Sequence, residues 1–470
     1  MLRSFQKLDR NFPKFSVSKL FQIKRHHSAE DLDPDGCGLD PFDISFNSPN
    51  FPMSSTEMLS KDETQRLTSE VEHILQSKPT YPSVKGWKFT EKELTRLLSN
   101  RTHSEDLALF KTAASATERE FGNETYFRGI AEFSNKCEKD CKYCGIRRSQ
   151  PIVQRFDMSD KEVVDAARWV SEYGYGCLLL QSGERKVKKE NERVSRLIRA
   201  IKKETTSETY PKGIGIILSV GEQKPEVYKE WFDLGAHRYL LRIETTNRDL
   251  YHKIHPRFNH SFDTRVQCLK SLRDIGYQVG SGVMIGIPGQ SILDLARDLL
   301  WYREMDLDMI GMGPYIHSQH TPMCEEFEKD YWQAQNNVTN RDDWDWHDSD
   351  FSQYRDMEKW KRYRLALRMI ALTRLMCFDC NIAATTALQA IDPFGRERAL
   401  EIAANVVMPI VTPKKYRKNY VLYDGKPCVE EDKEECRGCL QARVTSIGKR
   451  AVFNQWNDPP HFLRKQIHKK

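Results

Sequence analysis

Short apolar or β-branched runs recur along this chain, with amphipathic helical stretches between them. The runs fall near residues 127–133, 176–181, 214–220, 238–243, 278–285, 308–313, 380–386 and 405–409. Between the first two, Val163, Val164, Ala167 and Val170 recur at helical spacing after Ser159, which has the chemistry of an N-cap. Over 361–376 the same periodicity returns in Leu365, Leu367, Met369, Ile370, Leu372 and Leu375. Eight strand candidates alternating with helices predict an α/β fold, a closed (β/α)8 barrel of the TIM type rather than an open sheet. A barrel of roughly 250 residues leaves room for extensions, and the chain has 470 residues. In such a barrel the chemistry sits at the C-terminal ends of the strands.

The barrel is expected over 121–415, behind a helical N-terminal extension at 56–120. Residues 30–55, rich in Asp, Pro, Gly, Ser and Asn, read as a linker. Residues 1–29 carry Arg3, Lys7, Arg10, Lys14, Lys19, Lys24 and Arg25 against the single acid Asp9, with apolar residues interleaved. Such a segment reads as an organellar presequence, addressing a mitochondrion-like compartment such as a hydrogenosome or the mitochondrial matrix, with a plastid or the cytoplasm as the alternatives. A basic tail without structure has the same composition. Residues 325–350 hold nine acids and two bases, an insertion after the sixth strand candidate. Residues 416–470 form a C-terminal segment. No apolar run approaches the ~20 residues of a membrane span. The net charge of +6 sits partly in the first 25 residues and is no nucleic-acid footprint.

Twelve cysteines raise two readings, a disulfide framework or metal ligation. The chain is long and lacks a secretory h-region, which favours metal. Cys37, Cys177, Cys268, Cys324, Cys377 and Cys380 are scattered and read as free thiols. Cys137, Cys141 and Cys144 form C-x3-C-x2-C directly after the first strand candidate. Three thiolates so close can hold three irons of a cubane, leaving the fourth iron open to a small molecule. Zinc competes, but a closed zinc site takes four ligands and no fourth stands nearby. A second group, Cys428, Cys436 and Cys439, has the form C-x7-C-x2-C. It reads as a second iron–sulfur cluster, or as a thiol-rich loop that takes up zinc. The run Gly280–Gly286 is G-x-G-x3-G, which is not a dinucleotide fingerprint. His317 and His320 have no companion ligands and read as solvent-exposed.

The C-x3-C-x2-C spacing, with Tyr143 before the last cysteine, resembles the radical S-adenosylmethionine (SAM) superfamily. Further strand ends narrow the resemblance: Gln181-Ser182-Gly183-Glu184, Ser219, Leu241-Arg242-Ile243-Glu244-Thr245, Gly282–Gln290, Asp308–Pro314, Ala383–Ala387, and Ala404–Pro409 followed by Tyr420 and Tyr423. As an ordered set over roughly 120–440 they look like the HydE family, the radical SAM maturases of [FeFe]-hydrogenase.

The resemblance implies a [4Fe–4S] cluster on Cys137, Cys141 and Cys144, with SAM on its open iron. It implies SAM contacts from Tyr143, Gln181, Ser182, Ser219, Glu244, Arg265 and Met284. Arg242, Met309, Thr385, Thr386, Met408, Tyr420 and Tyr423 would line a deep substrate cavity. Some family members carry a second cluster at the position of Cys428, Cys436 and Cys439. The implied activity is reductive cleavage of SAM to a 5′-deoxyadenosyl radical, acting on a cysteine-bound iron carbonyl cyanide precursor. The implied partners are sister maturases and an electron donor such as ferredoxin, with no nucleic acid or membrane. Two other readings stand beside it. One is a related barrel enzyme acting on an organic substrate, as in biotin synthase or methylornithine synthase. The other is an iron–sulfur scaffold or electron carrier, which would need neither Glu244, Arg265 nor a large cavity.

Overall fold

The computed structural model describes residues 59–79, 86–326 and 351–467. The expected presequence, the linker and nearly all of the acidic insertion lie outside them. Among the described residues three helices, Lys61–Gln76, Glu91–Leu98 and His103–Phe121, precede the sheet. Ser60, Thr90 and Thr102 cap them, the last two in reciprocal capping boxes with Glu93 and Glu105. They are tied to the barrel through buried Asp106, which meets Arg364 at 2.7 Å and Arg368 at 2.6 Å on the helix Phe351–Met376.

Twelve strands follow among the described residues: β1 (Glu124–Phe127), β2 (Gly129–Ser134), β3 (Cys177–Ser182), β4 (Gly215–Ser219), β5 (Arg238–Leu240), β6 (Gln278–Ser281), β7 (Met284–Ile285), β8 (Met309–Ile310), β9 (Gly313–Pro314), β10 (Asn381–Ile382), β11 (Val406–Val407) and β12 (Arg450–Val452). β2, β3, β4, β5, β6, β8 and β10 form one seven-stranded parallel sheet in that spatial order. The segment around β11 closes the ring. It pairs with β1 and, through Ile130↔Ile410, with β2 on one side; Ala383↔Val406 joins it to the other. β1 and β2 are thus one strand kinked at Arg128. The expected barrel forms.

Two expected strands are each divided. The run 278–285 becomes β6 and β7, and 308–313 becomes β8 and the start of β9. The cause is a close approach: a Cβ on Gly282 would lie 1.8 Å from the Gly311 carbonyl oxygen. Beyond this pinch the ladder resumes as β7 against β9. The helix expected over 160–173 spans Asp160–Glu172, with Ser159 as cap and Glu162 closing a capping box.

Residues 450–467 seal the foot of the barrel, whereas 420–426 lie at its opposite end. β12 adds to β1. The chain then crosses the N-terminal strand ends, where the Asn457 carbonyl accepts from Arg128 Nη2 at 2.7 Å and Asn381 Nδ2 at 3.0 Å. On the helix Pro460–Ile467, His461 lies between Asp379 (3.0 Å) and Asp306 (2.8 Å), and Lys465 meets Asp308 at 2.8 Å. No described helix is long and apolar enough to cross a membrane.

Candidate active site

The opposite, C-terminal end of the barrel opens into a cavity of about 390 Å³. Cys137, Cys141 and Cys144, on the loop leaving β2, line its mouth as free thiols. β3 runs close beneath this loop. A Cβ on Gly183 would meet the Lys136 carbonyl oxygen at 2.3 Å, so only glycine fits there. The next backbone amide, Glu184 N–H, donates to Cys137 Sγ at 3.3 Å. His260 Nε2 lies 3.7 Å from Cys141 Sγ. Burial pushes the Cys144 thiol up to about 12, and burial with repulsion from Cys144 and Cys137 holds Cys141 well above the usual thiol range. Taking up metal here therefore expels thiol protons.

This donor set fits a cubane better than zinc. Among the described residues the histidines that approach it are His255 and His260. Both nitrogens of His255 are already engaged, Nδ1 with Tyr251 O at 3.0 Å and Nε2 with the Tyr143 hydroxyl at 3.1 Å. A closed four-ligand zinc site is not assembled among the described residues. Three thiols with one open side are.

The cavity wall beside the loop is polar. Gln181 and Ser182 end β3, Ser219 ends β4, and Met284 lies in β7, all facing the cavity. Arg242 and Glu244 follow β5 on one face and pair with each other: Nη2 to Oε2 is 2.9 Å. Arg242 Nη2 also donates to Val283 O at 3.0 Å, leaving buried Nε without a partner. Glu244 takes φ 67°, the left-handed region.

An ion pair between Glu244 and Arg265, the bland explanation of both residues, does not form. Arg265 meets Glu222 at 2.9 Å and Glu184 at 3.4 Å. Lys139 joins both acids, at 3.0 Å and 3.3 Å. Despite its burial, Glu222 is held down at about 2 by Arg265 and Lys139; Glu184 is pushed up by burial.

Deeper in, Met309, Thr385, Thr386, Met408, Tyr420 and Tyr423 all line the cavity. Thr385 and Thr386 open the helix Thr386–Ile391 rather than end a strand. Thr386 Oγ1 lies 2.7 Å from the Tyr423 hydroxyl. Three polar residues there were not foreseen. Glu132 and Lys426 form a buried pair at 2.5 Å, and Arg128 lies at the floor with Nη1 3.3 Å from Met309 Sδ. The signal for Glu132 was a lone acid inside an apolar strand. His317, expected at the surface, is buried beneath the 421–424 segment: Asp424 N–H donates to its carbonyl at 2.9 Å. His320 is exposed. Cys177, Cys268, Cys324, Cys377 and Cys380 form no disulfide among the described residues; Cys37 lies outside them.

Cys428, Cys436 and Cys439 come together away from the cavity, the last two on the helix Lys433–Ser446. A thiol contact with Cys436, with Arg396 beside it, lowers Cys428 to about 6. The same contact pushes Cys436 up and burial raises Cys439, so only one of the three thiols ionises readily.

The sequence matches the Radical SAM superfamily over residues 131–301. It is 38% identical over 363 residues to the [FeFe] hydrogenase maturase subunit HydE of Thermotoga maritima, covering 77% of this chain and 92% of that protein. The chain belongs to the HydE family. Members of this family are radical SAM enzymes and use a [4Fe–4S] cluster with SAM, and so does this chain. The 3-methylornithine synthase of Methanosarcina barkeri is 24% identical over 342 residues, 73% of this chain and 85% of that one. Among solved structures, methylornithine synthase aligns with a TM-score of 0.61 at 20% identity, covering 83% of this chain and 98% of that one. HydG, a maturase of [FeFe]-hydrogenase, aligns with a TM-score of 0.60 at 17% identity, covering 84% and 77%. The last two show that the barrel is shared.

Proposed function

We propose that this HydE-family enzyme acts in assembling the diiron site of [FeFe]-hydrogenase, and that its substrate is a cysteine-bound iron carbonyl cyanide species held in the barrel cavity. The observation that carries this reading is the single cavity that joins the three-cysteine loop to the Arg242–Glu244 pair and the threonine–tyrosine interior. Cys137, Cys141 and Cys144 would hold the cluster. When bound, it supplies the electron that splits SAM into methionine and a 5′-deoxyadenosyl radical. Glu244 would accept from the ribose hydroxyls. Tyr143, fixed by His255, would pack beside the cofactor, with Gln181, Ser182, Ser219 and Met284 along its length. Arg265, clamped by Glu184 and Glu222, would keep this wall rigid. Arg242 Nε, a buried donor without a partner, would serve an anionic substrate. Met309, Thr385, Thr386, Met408, Tyr420 and Tyr423 would exclude water around it.

The test is iron content and 5′-deoxyadenosine formation by the reconstituted protein. Cys141→Ala is expected to lose the iron of the loop cluster and all cleavage. Serine at Cys428, Cys436 and Cys439 together should remove only accessory iron, if those thiols hold a second cluster apart from the radical step. Full cleavage by Cys141→Ala would refute the cluster assignment. A substrate of organic type would show as turnover of a metal-free amino acid.

The basic segment 1–29 supports delivery to a hydrogenosome or mitochondrial matrix. Deleting residues 2–29 should leave a fluorescent fusion in the cytosol, and unchanged import would exclude a presequence there.

A further inference from the structure

We propose that the surface around the cysteine loop is the docking face for a small acidic iron–sulfur electron carrier of the ferredoxin type. This rests on the reading above, which requires an electron from outside the chain. One electron leaves the reduced carrier and arrives at the cluster held by the loop; no bond or proton is exchanged between the two proteins.

Besides the end of β3, two loops, 147–155 and 253–260, pack against residues 136–144. On one side, Asn259 Nδ2 donates to Glu138 O at 2.8 Å, and Lys142 N–H to Ile254 O at 2.9 Å. On the other, Arg148 N–H donates to Lys139 O at 2.8 Å, and Ser149 donates to both Asp140 oxygens at 3.0 and 2.8 Å. Each flanking loop lifts one large apolar side chain into solvent: Phe258 is 70% exposed and Ile152 is 66% exposed. Single exposed apolar residues are ordinary. These two bracket the same loop, on backbone that is pinned to it.

The charge around them has one sign. Across 136–155 and 253–260 the exposed ionisable residues are Lys136, Arg148, Lys253 and Arg257, against Glu138 alone. Lys136 is paired with Asp157. Among the described residues no ion pair neutralises Arg148, Lys253 or Arg257. Apolar anchors within a rim of unpaired cations make an electrostatically steered contact for an acidic partner. Electron transfer weakens steeply with distance, so a carrier must sit close to the cysteines, and this face lies against them.

The experiment uses holoenzyme and a plant-type [2Fe–2S] ferredoxin. Binding is measured by calorimetry over a salt series, and SAM cleavage is driven either by reduced ferredoxin or by dithionite, which needs no docking. Arg148→Glu with Arg257→Glu should weaken binding by about tenfold or more at low salt, a difference that fades as salt screens the charges. Ferredoxin-driven cleavage should fall with it, while dithionite-driven cleavage stays unchanged. Phe258→Ser with Ile152→Ser should weaken binding at every salt concentration. Equal binding by all variants, or an equal loss of dithionite-driven cleavage, would overturn the proposal. Absence of dithionite-driven cleavage in the unmodified enzyme would instead sink the radical reading, and the calorimetry would still decide the docking.

Discussion

Glu244 holds a backbone conformation that costs a residue with a β-carbon on the order of 1–3 kcal/mol. At φ 67° it re-aims the chain after β5, so that its carboxylate and the Arg242 guanidinium meet at the cavity wall. Strain and function should therefore separate. Glu244→Gly relieves the strain, and its melting temperature should equal or exceed that of the native protein. It also removes a charged hydrogen-bond partner, so SAM affinity should fall on the order of ten- to a hundredfold. A calorimetric titration beside a thermal melt reads both, and a fall in stability with unchanged affinity would refute the assignment. At this scale the sequence was legible where residues of one site are neighbours in the chain, as in Cys137–Cys144 or Arg242 and Glu244. It was not legible where partners come from far apart. Glu132 and Lys426 are 294 positions apart, and Arg265 finds Glu184 81 positions away; only the folded ring brings them together.

β3 and the cysteine loop are set against each other by Gly183. The atoms a methyl group would strike belong to the backbone of Lys136 and the Cβ of Cys137, and neither can rotate aside. Gly183→Ala should therefore push the loop off the strand end and disturb the Glu184 N–H to Cys137 contact. The expected outcome is a folded protein, judged by circular dichroism, that retains well under half the native iron after reconstitution; full iron retention would show that the approach is not required. Element type and order could be read from the chain because the periodicity of apolar residues changes cleanly between strand and helix. The ends could not. Backbone proximity at Gly282 and Gly311 divides two expected strands, and no local pattern announces where two distant segments touch.

The sealed foot of the barrel has its own pH dependence. Burial opposes the charge on His461, but its hydrogen bonds to Asp306 and Asp379 win and raise it to about 10. In the unfolded chain it titrates near its ordinary value, about 6.5. Its contribution is therefore complete below pH ~6.5, declines above that and is lost as pH rises through about 10. Native protein should lose thermal stability across that window, and His461→Gln should flatten the loss. Identical slopes for both proteins would rule out this histidine as the source.

Closing this ring also sets a timetable. The parallel pairs from β2 to β8 join segments that follow one another in sequence, whereas the bond from Arg128 to Asn457 spans 329 positions and that from Glu132 to Thr412 spans 280. Contacts of such separation form late. For that interval the inner wall is an open trough, with its apolar side chains wet and its neighbours able to pair with it. The cysteines come with β2, in the early half, and Gly145 beside them bonds to Leu422 only once the C-terminal segment arrives. Iron can therefore meet its thiolates while the interior is still open, and the closing of the barrel then decides whether the metal is enclosed or the chain is lost to aggregation.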